Sequence, residues 1–211
     1  MRILRKHWFD IGGVFALFIL IALSINWRSA SPYALIMWLS LASLFLHQVE
    51  EYRWPGTFPG MINTVLFKSN FPDHYPLNSN TALVINVGIG WLFYLLAAIT
   101  GTNAVWLGLA TILVSAGNVI AHTILFNRKG RTLYNAGMLT ACIFFAPCIY
   151  YFFYVVYHDH LITVIDYLIG LPLGVVLNVV GVLKMIDWLK VKDSPYLFEP
   201  RNLLSGKEQS E

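Results

Sequence analysis

Charge is the scarcest ingredient of this sequence. Asp, Glu, Lys and Arg make up 12% of its 211 residues, where a soluble domain carries about 25%. Hydrophobic residues make up 57%, and the mean hydropathy is +0.63. A water-soluble core of this size cannot hide that much apolar chain. Soluble classes are therefore excluded, and an α-helical integral membrane protein is implied. Cysteine is nearly absent. Cys142 and Cys148 share one apolar run, and six residues of separation sets them about 120° apart on a helix, out of reach of a disulfide. They have no zinc-type spacing and read as small packing residues. Basic residues form no patch away from the apolar runs, which excludes a nucleic-acid surface. They flank those runs, where their usual effect is to orient a membrane protein. No soluble domain and no internal repeat stands out.

What is present is a series of long apolar runs. They predict an all-α, polytopic membrane bundle of about six transmembrane helices, at residues 8–26, 33–51, 81–100, 103–126, 133–157 and 161–186. Residues 1–190 form this domain. Residues 191–211 form a polar cytoplasmic tail whose last stretch, SGKEQSE, reads as disordered. The first run follows Arg2, Arg5 and Lys6, as in a secretory signal. Its length, with Asp10, Gly12 and Gly13 near its start, favours a retained helix. Residues 53–80 are rich in Pro, Gly, Asn and aromatics and read as a loop, with MINTVLF as a short interfacial helix. A loop of that length in a compact protein is often a lid or binding loop. With the N-terminus in the cytoplasm, six spans leave Arg28 alone, of the 14 Lys and Arg residues, on the opposite side. This asymmetry sets both termini in the cytoplasm and the chain in the cell membrane as a multi-pass protein.

Ionisable groups inside hydrocarbon cost a few kcal/mol or more each, so they tend to mark function. His47, Glu50 and Glu51 close the second run in the stretch LASLFLHQVEEYRWPG. Positions 0, 3 and 4 share one helical face within about 100° of arc. Either glutamate can face a site. Asn86, Asn118, His122, Tyr134, Asn135 and Asn178 fall at a similar depth, in the cytoplasmic half. Three of the runs carry small or polar stripes at helical spacing: Ser40, Ser43, His47 and Glu50; Gly108, Thr111, Ser115, Asn118 and His122; Gly170, Gly174 and Asn178. Small residues at such spacing let membrane helices approach closely, so the stripes point inward. Asn86 and Asn178 read first as interhelical hydrogen bonds. Tyr134 and Asn135 read equally as site residues or as the start of the fifth span. Asp166 reads as solvated or tied to the interfacial His158, Asp159 and His160.

His47-Gln48-Val49-Glu50-Glu51 resembles the motif of the HXXEE family, small bacterial inner-membrane proteins with no established activity. Asn118-x-x-x-His122 and the stretch Tyr134–Ala141 are similar to its other recurring segments, although that stretch usually carries Pro where Ala136 stands here. The resemblance covers roughly residues 40–185 and implies a multi-helix membrane domain. A looser chemical analogy links the chain to intramembrane proteases of the CAAX-processing type. Here Glu50, Glu51 and Arg53 read EExR in place of EExxxR, and Asn118 and His122 come in reversed order.

The residue set suggests a membrane-embedded enzyme. In its metal form His47, Glu50 or Glu51, and His122 bind one divalent ion, Zn or Fe, since two imidazoles and a carboxylate suit either with a position left open. Glu50, Glu51 and Asn118 are then the catalytic candidates, the spare glutamate as general acid or base and Asn118 as a hydrogen-bond donor. In a metal-free form the same groups support glutamate-based hydrolysis. The expected partners are the lipid bilayer and a hydrophobic small-molecule or lipid substrate, with no nucleic acid. Two alternatives are a proton- or cation-coupled transporter and a non-catalytic scaffold with polar interhelical contacts. The first is disfavoured because the polar residues stop halfway across.

Overall fold

Ser31 and Pro32 show how local sequence starts a helix here. The Ser31 hydroxyl accepts from the Ala34 amide, and Pro32 occupies the first turn, where its missing N–H is no loss. A computed structural model of the protein describes residues 2–204. Among these residues there are helices and no strands. We number them α1 (Arg2–Asn26), α2 (Pro32–Tyr52), α3 (58–66, short), α4 (79–100), α5 (105–130), α6 (Met138–His158) and α7 (Val164–Trp188).

Five helical stretches are long and apolar enough to cross a membrane. One of them, Ser79–Gly130, has 52 residues. Laid straight it would reach about 78 Å, against a hydrocarbon core of about 30 Å. It is folded back on itself. Gly101, with φ +56°, opens a single 3₁₀ turn through Ala104. The Tyr94 hydroxyl then reaches across from α4 to the Thr111 carbonyl at 2.9 Å and Ser115 Oγ at 2.8 Å on α5. Six long legs result, in agreement with the sequence expectation.

The small-residue stripes do face inward. Ser40, Thr111 and Ser115 are fully buried. Gly108 lies against Tyr33 and Met37, and Gly170 and Gly174 seat α7 on Trp106 and Leu113 of α5. Close backbone approach of this kind gains dispersion where lipid removes the hydrophobic drive. Asp166 is placed differently from expectation. Its carboxylate accepts from the Thr163 amide and hydroxyl and from the Trp106 amide at 3.0 Å. It thus caps α7 and holds the start of α5, because free N–H groups at a helix start attract a carboxylate. His158 pairs with Asp159 and stacks on Tyr154. Asn86 and Asn178 are interhelical, as read: Asn86 accepts from Gln48 and donates to the Tyr52 hydroxyl, and Asn178 donates to the Leu113 carbonyl.

The first run is packed on the bundle. Trp8, Phe9 and Ala16 are buried, and Gly12 rests against Phe45 and Trp91. Helix α6 begins at Met138, later than expected, because Arg131 and Gly137 take positive φ and residues 131–137 form a turn. The residues after α7 fold back as a strap over α3. Asn202 donates to the Tyr52 and Gly56 carbonyls at 3.0 and 2.8 Å, and Gly60 lies against the backbone of Leu203 and Leu204. The strap also takes one hydrogen bond from the Ser79 amide and gives one to the Asp73 carbonyl, while Lys6 pairs with Glu199. Residues 205–211, the stretch expected to be disordered, lie outside the described residues.

Candidate metal centre

One turn of α2 separates His47 from Glu51, so both project toward α5. His122 meets them from α5. Glu51 Oε1 stands 3.4 Å from His47 Nε2 and 3.3 Å from His122 Nε2. One ligand atom from each of the three residues falls within 4.8 Å of the others, and all three side chains are buried. The imidazoles meet edge to face, with centroids 4.9 Å apart. Phe145 covers one face of His47, and Phe58 and Phe126 flank His122.

The outer nitrogens decide what the inner ones can do. His122 Nδ1 is 2.6 Å from Asn135 Oδ1, and the Asn135 amide is oriented by its own donation to the His122 and Asn127 oxygens. Asn135 Oδ1 can only accept, so Nδ1 carries the proton. His47 Nδ1 is 2.9 Å from Thr140 Oγ1, whose single proton goes to Glu50 Oε2 or the Gly137 carbonyl. That hydroxyl accepts from His47, and Nδ1 is again the protonated nitrogen. In the neutral imidazoles both Nε2 atoms therefore present lone pairs toward a carboxylate oxygen. Neither has a hydrogen-bond partner among the described residues. Three acceptors converging in a buried site repel one another unless a cation lies among them.

The neighbouring glutamate is committed elsewhere. Glu50, expected among the ligands, turns toward α6, because adjacent helical residues point about 100° apart. Its carboxylate accepts from the Tyr134 hydroxyl, the Leu139 and Thr140 amides and the Thr140 hydroxyl. Four donors suit an ionised carboxylate and satisfy the free amides at the start of α6. Asn118, expected to assist at the site, donates to the Val114 carbonyl and is not in the three-residue group. It lines the cavity beside that group.

That cavity has a volume of about 260 Å³ and runs between α2, α4, α5 and α7. His47 and Glu51 lie on its wall. Gln48, Asn86, Asn118 and Asn178 are its amide side chains, and among the described residues no Lys or Arg lines it. Phe58 and Ile62 of α3 and Leu77 close its basic end, with the strap stacked behind them. Leu125, Val179 and Leu183 also line the cavity and are each more than a third exposed, so its rim lies between α5 and α7 on the apolar flank.

Thr140, Asn135 and Tyr134 complete the centre, and helical spacing gave no reason to pair them with His47, His122 and Glu50. Depth in the cytoplasmic half points to Tyr134 and Asn135, and for Thr140 the similarity of the Tyr134–Ala141 stretch to a recurring family segment is the one signal. The sequence pattern of a protein family described as "Protein of unknown function with HXXEE motif" matches residues 38–152, more than half of the chain. No curated protein and no solved structure matches the chain.

Proposed function

We propose, from the premise that this chain belongs to the HXXEE-motif family of unknown function, that it is a membrane-embedded, metal-dependent enzyme acting on a lipid-soluble substrate. The observation that carries this reading is the convergence of Glu51 Oε1 with two unpartnered imidazole Nε2 atoms. The separations have the right size. Zinc bonds of about 2.0–2.1 Å in tetrahedral array set neighbouring ligand atoms about 3.3–3.4 Å apart, and the two nitrogen–oxygen distances are 3.4 and 3.3 Å. These two separations fit zinc, and three protein ligands leave a fourth position free.

Bound there, a divalent cation supplies Lewis acidity in a water-poor site. The chain does the rest. Asn135 and Thr140 fix the imidazole orientation, as supporting hydrogen bonds do at metal centres. Glu50 fixes Thr140. The roof of Phe58 and Ile62 excludes water, and Asn118 offers an amide to the substrate. The bias of Lys and Arg supports a multi-pass orientation in the cell membrane with both ends cytoplasmic.

The test is elemental analysis of detergent-purified protein. About one equivalent of zinc is expected in the wild type, lost in His47→Ala, His122→Ala and Glu51→Gln. Folded wild-type protein without metal would overturn this reading. A proton shared among Glu51 and the imidazoles would then take the cation's place.

A further inference from the structure

The cavity beside the metal centre has a shape and a polarity that restrict what it can hold. Along α4 its lining runs from Ala82 to Tyr94, twelve residues or about 18 Å at the helical rise. Its volume of about 260 Å³ lies below the range of about 300–1,000 Å³ usual for drug-sized ligands. A slot so long and so small is narrow. One extended alkyl chain matches its length and volume. Leu44, Phe93 and Val114 give one end apolar walls, Gln48 and Asn86 hydrogen-bond to each other along the middle, and Glu51 and Asn118 lie further along their helices toward the other end.

The head group is restricted as well. A bound cation at Glu51 could take one oxygen of a phosphate or sulfate, but the remaining charged oxygens would still need Arg or Lys partners, and among the described residues neither type lines the slot. Amides line it instead. Asn118 uses one N–H for the Val114 carbonyl, and its Oδ1 takes no hydrogen bond among the described residues. A small uncharged oxygen head matches that lining. Access is through the rim at Leu125 and Leu183, since α3 and the strap close the basic end.

We infer that the slot takes an uncharged, single-chain lipid with an oxygen-bearing head, which slides in from the bilayer between α5 and α7 and lays its head at Glu51 and Asn118. This rests on the proposed metal-enzyme reading for what happens to the head, but the binding itself does not require the metal.

Two glycines of α4 allow a direct test. A Cβ at Gly90 would have ordinary contacts with Gln48 and Leu44, so a larger side chain there enters the slot. A Cβ at Gly88 meets nothing within 4 Å and lies on the exposed face. The probe is a long-chain fatty alcohol carrying a mid-chain diazirine, photolysed with the full-length protein in lipid nanodiscs. Cross-links are read by peptide mass spectrometry, and zinc content is measured on the same samples. The expected result is labelling of slot-facing residues of α4, α5 and α7, reduced at least tenfold in Gly90→Leu and unchanged in Gly88→Leu. Unlabelled fatty alcohol should compete, and a diacyl phosphatidic acid should not. Wild-type labelling confined to outward-facing residues would overturn the inference whatever the variants do. So would equal competition by the phosphatidic acid, or equal labelling of folded Gly90→Leu. Slot labelling in a zinc-free wild type would uphold the lipid site and sink the metalloenzyme reading alone.

Discussion

Residues 50 and 51 stand about 100° apart on one helix, and that angle gives two identical carboxyl groups different work. Glu50 accepts four hydrogen bonds from Tyr134, Leu139 and Thr140. Glu51 faces two imidazole nitrogens that donate nothing to it. Exchanging each for glutamine separates the roles. In Glu50→Gln an amide N–H₂ replaces one acceptor oxygen and strands a buried donor, at a cost of about 1–3 kcal/mol. A clear fall in melting temperature is expected, with zinc retained but bound more weakly. In Glu51→Gln zinc is expected to be lost, while the melting temperature of the metal-free protein holds or rises, since a buried charge has been removed. Parallel thermal melts and elemental analysis of the two variants check this. Equal behaviour of the pair would show that the division of roles is wrong.

At the scale of elements, the turn before α6 matters most to the centre. Gly137 has φ +103°, and a Cβ there would collide with the His122 ring. Gly137→Ala should destabilise by about 1 kcal/mol or more and push His122 away from Glu51. A melt and a zinc determination would show both effects. A variant that keeps its zinc would deny the turn this part in holding His122. The strap carries a second prediction. Asn202→Ala removes two buried hydrogen bonds over the roof, so amide exchange in α3 should quicken while the six long legs stay protected. The strap also answers to pH. Hydrogen bonds from Arg201 and then Lys6 hold the Glu199 carboxyl below the ordinary carboxylate range. A lowered value means that the contribution is complete above that range and is lost as pH falls through the lowered value. Exchange in the strap should therefore rise in acid, and less so in Glu199→Gln.

The same elements show what can be read from a linear chain. His47 and His122 are legible because helical spacing puts both on inward stripes, and Glu51 because it shares a helical face with His47. The legs were legible because length and hydropathy do not depend on neighbours. The choice between Glu50 and Glu51 was not, since it is made by α6, far away in sequence. Thr140, and the pairing of Asn135 with His122, are hidden because these positions depend on positive φ at Arg131 and Gly137. Four of the legs also carry wide π turns, at 84–91, 121–125, 141–145 and 179–184, all beside the cavity or the centre. Such turns are common at functional sites, and they shift a face in a way that a 3.6-residue period does not foresee.

For the whole molecule, the distribution of Lys and Arg makes a prediction that needs no site at all. Reporter fusions at the two ends should both report the cytoplasm, and one placed in the Ser29–Pro32 turn beside Arg28 should report the other side. A split result for the two ends would mean an odd number of crossings and would undo the six-leg arrangement. The roof over the cavity has a consequence of another kind. With Phe58, Ile62 and the strap across the watery end and the rim at Leu125 and Leu183, the proposed substrate never passes through bulk solution. It is met by diffusion in a plane. Turnover should then follow the mole fraction of substrate among the surrounding lipids, and adding inert lipid at fixed total substrate should slow the reaction as if the substrate had been diluted.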